Sequence, residues 1–329
     1  MTTLRAGLVG LGSMGRHHAR NLRALEGVEL VGVADASGDP YGVAWNLEVL
    51  PDIESLLQMG LDYCVVAAPT MCHEEIGTQL AQAGVNALIE KPLAADTGAA
   101  RRLAELFDAK GLLGAVGHIE RYNPALQNLR KRLADGQLGD LYQVATRRQG
   151  PFPPRIADVG VIKDLGSHDV DLTAWVTQRD FEMVAARTVY KSGRQYEDMV
   201  AATCQLTGGL MSNHLVNWLT PTKERLCTVT GEKGMFVADT LTADLTFYGN
   251  GLDVDTWGDL AQFHGVSEGD VTRYAIAKPE PLRVEHENFR DALLGRPADI
   301  VTLEQGARVV QVCEAMIDSA RTGGFVAIS

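Results

Sequence analysis

Cysteine and positive charge are both in short supply in this chain, and each shortage narrows what it can do. The cysteines are Cys64, Cys72, Cys204, Cys227 and Cys313. They form no CxxC pair and no zinc-ligand spacing, and their number is odd. A disulfide framework is excluded, no metal site is expected, and thiols in a reducing cytoplasm are predicted. Lysine and arginine total 30 against 42 acids, a formal net charge of −12. Such a surface repels nucleic acid and anionic membranes, so neither is expected as a partner. An anionic substrate has to be met by a few local cations working against the global field. No apolar run reaches the length of a membrane span, and no basic segment followed by a long apolar stretch opens the sequence. Repeats and low-complexity tracts are absent. The expectation is a cytoplasmic protein, long enough at 329 residues for two domains.

What is present starts at Leu4. Leu4–Val9 is short, apolar and strand-like, and Gly10-x-Gly12-x-x-Gly15 follows at once. Arg16–Leu25 carries Ala19, Leu22 and Leu25 at helical spacing, and Val28–Ala34 is a second apolar run that ends at Asp35. Strand, glycine turn, helix, strand and acid in this order are the context in which a glycine pattern marks a dinucleotide site. Gly10 permits the tight turn, Gly12 lets the backbone approach a pyrophosphate, and Gly15 lets helix pack on strand. The helix N-terminus offers unpaired N–H groups to phosphate. A carboxylate at Asp35 accepts from ribose hydroxyls and repels a 2′-phosphate, and Ala36, Ser37 and Gly38 bring no cation to offset that repulsion. NAD is therefore predicted over NADP.

The rest of the first third alternates strand and helix. Tyr63–Ala68, Val85–Glu90 and Leu112–Ile119 read as strands; His73–Ala83 and Thr97–Lys110 read as helices. Apolar strands separated by helices imply a parallel, doubly wound sheet. Between Asp35 and Pro51 too little chain remains for a crossover helix, so an abbreviated connection is expected. After Arg121-Tyr122-Asn123-Pro124 the pattern changes. Helix is predicted at Pro124–Ala134, strand at Leu141–Arg148, and helix at Asp164–Val176. Strand-like runs follow at 184–190, 199–206, 210–218, 225–230, 235–238 and 245–248, and a helical stripe runs through Val309, Val312, Cys313, Met316, Ile317 and Ala320. The predicted fold class is α/β: an N-terminal doubly wound Rossmann domain (1–120) and a C-terminal α+β domain (121–329) with a large open, mostly antiparallel sheet. The open face of that sheet needs a cover, for which a second subunit is the usual solution, as a homodimer or homotetramer.

Three groups carry candidate chemistry. Glu90-Lys91-Pro92 closes a predicted parallel strand at its carboxyl end, where ligands of open α/β sheets bind. The competing reading is a surface lysine. Asp164 and His168 are four apart at a predicted helix start, so they share a face, and a carboxylate orienting a histidine is a general-base arrangement. The competing reading is a helix-start acid beside a core histidine. Asp171, one turn on, can join either. Pro69, Thr70 and His73 follow another parallel strand, where His73 either lines the cleft or begins a helix. Arg16, His17 and His18 sit at a helix N-terminus, where the macrodipole disfavours cations unless a phosphate is near. Arg155, after a proline-rich loop, is a candidate clamp for an anionic group.

With the glycine turn, Glu90-Lys91-Pro92 and Asp164-x-x-x-His168 in this order, the chain resembles the Gfo/Idh/MocA oxidoreductase family over essentially its whole length. Gly117-His118-Ile119-Glu120-Arg121-Tyr122-Asn123-Pro124-Ala125, and Gly150-Pro151-Phe152-Pro153-Pro154-Arg155 followed by Asp158-Val159-Gly160-Val161, resemble the branch that oxidises the 3-hydroxyl of UDP-N-acetylglucosamine or its uronic acid. The resemblance implies Lys91, Asp164 and His168 as the catalytic set. It implies Gly10, Gly12, Ser13, Met14, Gly15, Asp35, Pro69, Thr70, His73, Glu90 and Lys91 around NAD. The substrate would meet Lys91, Tyr122, Asn123, Arg155, Asp164 and His168. In the implied mechanism His168, held by Asp164, takes the hydroxyl proton, while the Lys91 ammonium stabilises the charge developing on oxygen. Lys163, where relatives carry an apolar residue, and the short segment after Asp35 depart from the family pattern. Two other functions stay open: a dehydrogenase of free inositol or aldose, and a non-catalytic NAD-binding sensor.

Overall fold

The computed structural model describes residues 3–153, 159–251 and 268–328. The chain divides into two compact units: residues 1–122, 154–171 and 279–315 form the first, and 123–153, 172–278 and 316–329 the second. The cut expected at 120/121 falls beside the first crossing. The segment carrying Asp164 and His168, however, packs with the first unit, and so does a later stretch, 279–315.

The first unit is built on six parallel strands. In chain order its elements are β1 (Leu4–Val9), α1 (Gly15–Ala24), β2 (Val28–Ala34), β3 (Val49–Leu50), α2 (Ile53–Leu57), β4 (Tyr63–Val66), α3 (His73–Gln82), β5 (Asn86–Glu90), α4 (Thr97–Ala109) and β6 (Gly114–Gly117). The sheet order is β3-β2-β1-β4-β5-β6, so the strand order reverses between β1 and β4. A ligand crevice opens at that point, at the carboxyl ends of the strands. Successive side chains alternate faces, and here both faces are buried. Val9, Val66 and Ile89 point into one core, with Leu80, Leu103 and Phe107. Leu8, Val65 and Leu88 point into the other, with Leu22 and Phe289. The connection from Asp35 to β3 holds no helix, as its length requires. Asp52 and Asp96 cap α2 and α4 by accepting from Ser55 N–H and Ala99 N–H.

In the second unit α5 (Pro124–Ala134) starts behind an Asn123 cap. Nine strands follow: β7 (Leu141–Pro151), β8 (Phe181–Val189), β9 (Met199–Leu206), β10 (Met211–Asn217), β11 (Leu219–Gly231), β12 (Gly234–Asp239), β13 (Asp244–Asn250), β14 (Glu268–Arg273) and β15 (Val326–Ala327). They form one sheet, ordered β14-β13-β12-β11-β7-β10-β9-β8-β15. It is antiparallel except for the β7–β10 pair. One face buries Val144, Val200, Val216, Val229 and Phe236. The opposite face leaves Ala145, Leu215, Leu226 and Val237 half exposed.

Besides the short β3 and α2 of the first unit, four later elements escaped sequence reading. A π-helical turn (Ile162–Gly166) precedes α6 (Ser167–Thr177), so Asp164 does not start an α-helix. The edge strand β14 (Glu268–Arg273) is too charged to read as apolar, and β15 (Val326–Ala327) is too short. α7 (Pro281–Leu293) buries Leu282, Glu285, His286 and Phe289, a stripe whose middle is polar. The last helix, α8 (Leu303–Thr322), matches the expected stripe.

Phe289 stacks edge-on against Tyr63 at 5.4 Å and is fully buried. Phe289→Ala is expected to destabilise the first unit by about 3–5 kcal/mol. Urea unfolding followed by circular dichroism should show the lost stability, and an unchanged midpoint would contradict the packing described.

Candidate active site

The glycine turn has the geometry its sequence demands. Gly10 has φ +91°, and a Cβ there would lie 2.6 Å from the Ala67 backbone. A Cβ on Gly15 would lie 2.0 Å from the Gly10 carbonyl oxygen, whereas a Cβ on Gly12 would meet nothing within 4 Å. The space beside Gly12 is open where a pyrophosphate would approach. α1 has no acid in its first turn, and Met14 at its N-cap gives no side-chain cap; the Leu11 and Arg16 amides are spent on Asp35 and the Gly12 carbonyl, so an anion would meet the amides between them. Asp35 Oδ2 accepts from Leu11 N–H at 2.7 Å and Oδ1 from Ser37 N–H at 2.7 Å. These bonds hold the carboxylate at the end of β2, where ribose hydroxyls lie in dinucleotide folds. The residues present, Ser13 included, fit NAD.

The second strap is Glu90-Lys91-Pro92, at the carboxyl end of β5, with a cis bond before Pro92. Lys91 Nζ donates to Asp164 twice: to the backbone carbonyl at 2.7 Å and to Oδ1 at 3.1 Å. The Asp164 carboxylate is buried, and its Oδ2 has no hydrogen-bond partner among the described residues. The role expected for Asp164 is therefore corrected, since its carboxylate holds Lys91 rather than the ring of His168. The π-helical turn is the physical reason, because the Ser167 N–H reaches back five residues to Ile162 O and the four-residue phase assumed from sequence fails. His168 lies in the next turn, in the first unit with Lys91, and is 8 % exposed. Lys163 turns elsewhere, donating to Ala95 O at 2.6 Å and pairing with Glu314 at 3.3 Å.

Several expected contacts are corrected by burial. Tyr122 is buried, and its hydroxyl donates to Asp299 O. Asn123 caps α5 and donates to Thr240 O. Neither side chain is free to meet substrate. His73 is also buried, its ring nitrogens 2.9 Å from Ala68 O and Pro92 O, so it ties two loops rather than lining the cleft. Glu90 points inward: Oε2 accepts from Lys91 N–H and Oε1 lies 2.9 Å from His18. Pro69 and Thr70 begin the turn after β4. Arg155 lies outside the described residues.

Behind the strap is a polar interior that sequence reading missed. Arg121 clasps Asp171 in a buried bidentate pair and donates to Gln305, so Asp171 joins neither Asp164 nor His168. His18 meets His286 at 2.9 Å. Burial works to raise the Glu90 carboxyl, but the His18 bond and the Lys91 charge hold it below its ordinary value. Burial pushes His118 down, against the pull of Asp171. Burial, with the charges of Glu90 and Asp171, raises Glu285 well above the ordinary range, and burial pushes His286 well down. The only signal for this interior was polar residues at core-facing helix positions.

The fold and these residues have parallels among known proteins. Residues 4–118 match the model of an oxidoreductase family with an NAD-binding Rossmann fold, and 126–237 match the GFO/IDH/MocA C-terminal domain. UDP-N-acetylglucosamine 3-dehydrogenase of Acidithiobacillus ferrooxidans is 31 % identical over 89 % of this chain and 90 % of that protein. A crystal structure of that enzyme superposes with a TM-score of 0.83 at 28 % identity, covering 98 % of this chain and 99 % of the other. The WlbA dehydrogenase of Bordetella pertussis, solved with NADH and UDP-GlcNAcA, gives 0.80 at 25 % identity over 99 % of both chains. An inositol 2-dehydrogenase of Saccharopolyspora erythraea is 31 % identical over 58 % of this chain and 59 % of that one.

Two outcomes follow from the geometry. Gly12→Ala should change stability by less than about 0.5 kcal/mol yet weaken NAD binding about tenfold, or about 1.4 kcal/mol; Gly15→Ala should lose both stability and binding. Calorimetric titration and thermal melts separate the two, and tight NAD binding by the Gly12 variant would refute the approach path. Burial, with the charges of Glu90 and Asp171, raises Glu285 well above its ordinary 4.5, so it keeps its proton to a higher pH folded than unfolded. Native stability therefore falls as pH rises from 4.5 towards the raised value. Glu285→Gln should match the parent Tm near pH 4 and exceed it at pH 7. Equal melting at both pH values would show that Glu285 is not held neutral.

Proposed function

The chain belongs to the Gfo/Idh/MocA oxidoreductase family, NAD-dependent dehydrogenases of CH–OH groups, and on that premise we propose that it oxidises the 3-hydroxyl of a UDP-N-acetylamino sugar. The observation that carries the reading is the Lys91 ammonium, fixed on Asp164 at the carboxyl end of β5 and one turn before His168. An ammonium has three donors, and two of them go to Asp164. The third hydrogen-bonds the substrate hydroxyl oxygen and stabilises negative charge as it develops there. His168 accepts the hydroxyl proton at a ring nitrogen. Bound NAD supplies the hydride acceptor. Asp164 keeps Lys91 aimed, so its effect on turnover passes through the lysine. The choice of a nucleotide sugar is supported by the A. ferrooxidans relative, which matches along nearly its whole length.

A free polyol is the second reading, favoured by the inositol dehydrogenase likeness over 58 % of the chain. We further infer a cytoplasmic homodimer or homotetramer built on the nine-stranded sheet, whose half-exposed Leu215, Leu226 and Val237 suit a second copy. No helix among the described residues is long and apolar enough to cross a membrane.

NADH formation should appear with UDP-N-acetylglucosamine or its uronic acid, and be absent with myo-inositol and glucose. Turnover confined to myo-inositol would overturn the nucleotide-sugar assignment. Lys91→Ala should lower kcat by roughly 10²–10³-fold with NAD affinity unchanged. A variant with near-parental turnover would remove Lys91 from the chemistry.

A further inference from the structure

Lys91 sits on a strap of three residues, and two buried histidines hold that strap at its ends. At the front end, His18 Nε2 lies 2.9 Å from Glu90 Oε1, and the other Glu90 oxygen accepts from the Lys91 N–H at 3.0 Å. At the far end, His73 Nδ1 lies 2.9 Å from the Pro92 carbonyl oxygen. His18 is 0 % and His73 1 % exposed, so neither ring exchanges these partners for water. Each histidine also belongs to one of the two turns at the strand-order reversal. His18 is in the first turns of α1, directly behind the glycine turn, and its Nδ1 is backed by His286 at 2.9 Å. His73 opens α3 and puts its Nε2 2.9 Å from Ala68 O, in the turn after β4. An apolar side chain would fill either space, and a surface-facing cation would suit the sequence at His18 as well. Neither would bond the strap.

We propose that His18 and His73 are positioning residues for Lys91, fixing the Glu90–Pro92 strap to the two turns that frame the cofactor crevice. The role given to Lys91 rests on the dehydrogenase reading; the holding of the strap does not. The physical case is leverage. Nζ stands at the end of a long flexible side chain, and both its bonds go to Asp164, so a small rotation of the Lys91 backbone breaks both. Displacement of about 1 Å at a reacting group costs on the order of 10²-fold in rate. Burial favours the neutral His73 ring, while both carbonyls and the Glu90 carboxylate oppose that. The neutral ring has one N–H and donates to one of the two carbonyl oxygens, whereas the protonated ring donates to both.

The test is a set of variants: His18→Leu, His73→Leu, and the milder His18→Gln and His73→Gln, each alone and combined with Lys91→Ala. Folding is checked by thermal melts. Each leucine variant should lower kcat about 10- to 100-fold with KM for the sugar moving less than about threefold, the glutamine variants falling between. In the Lys91→Ala background the same substitutions should lower kcat no further. A histidine that merely stabilises the fold would reduce activity equally in both backgrounds, and that result would overturn the proposal. A second readout needs no turnover. Reductive methylation of Lys91, followed by peptide mass spectrometry, should run several-fold faster in the histidine variants, because Nζ leaves Asp164. Unchanged labelling in folded glutamine and leucine variants would overturn the proposal even if no sugar substrate were found. Faster labelling without any NADH formation by the parent protein would instead count against the dehydrogenase reading alone.

Discussion

One contact sets the terms for the rest of the first unit: the ammonium of Lys91 held on the carbonyl and carboxylate of Asp164. The side chains of this pair are 15 % and 4 % exposed. Removing a charge pair from water is costly, and attraction repays the cost only when geometry and further hydrogen bonds are good. The parallel sheet supplies the first half of that geometry by ending β5 at the crevice. The π-helical turn supplies the second. By closing over five residues rather than four it shifts the phase of the turn that carries Asp164. Main-chain irregularity of this kind is disfavoured, and it persists where a functional contact depends on it.

The same contact explains why the division of the chain is not a single cut. Residues 154–171 leave the second unit's stretch of sequence to pack with the first, and 279–315 do likewise. α7 covers the Leu8, Val65 and Leu88 face of the sheet through Phe289, while Val301, Leu303 and Val310 close the other face beside Phe107. A sheet buried on both sides needs helices on both sides. The first third of the sequence gives one face α3 and α4 but leaves the other with little more than α1. The missing cover has to come from far along the chain.

Much of this was legible and the remainder was hidden for identifiable reasons. The glycine turn, Asp35 and the parallel strands read directly because their chemistry is local: a positive φ, a close backbone approach and continuous apolar runs. Lys91 read directly because it ends a strand. Asp164 was expected to hold His168, since four-residue spacing was taken to mean one α-helical face, and its Oδ1 accepts from Lys91 instead. α7 was invisible because Glu285 and His286 interrupt its stripe, and polar residues at those positions look like solvent contacts. His18 was read as a cation at an unfavourable helix end, when its ring faces inward to another element. Tyr122 and Asn123 were expected at the substrate from a resemblance, whereas the Tyr122 hydroxyl is spent on Asp299 and Asn123 caps α5.

These hidden residues share one electrostatic problem. Glu90, Asp164, Asp169, Asp171 and Glu285 are all buried in the first unit. Buried carboxylates do not all stay ionised at close range without partners. Asp171 has the Arg121 fork, Asp164 has Lys91, and Glu90 has His18 with the Lys91 amide. Glu285 accepts no hydrogen bond among the described residues, and burial, with the charges of Glu90 and Asp171, pushes its pKa up. Lys91 thus stands against a crowded acidic interior, with Asp164 at the tip of its side chain and Glu90 at its backbone. A cation held in place there before any substrate arrives would be the preorganisation that stabilising an oxyanion requires.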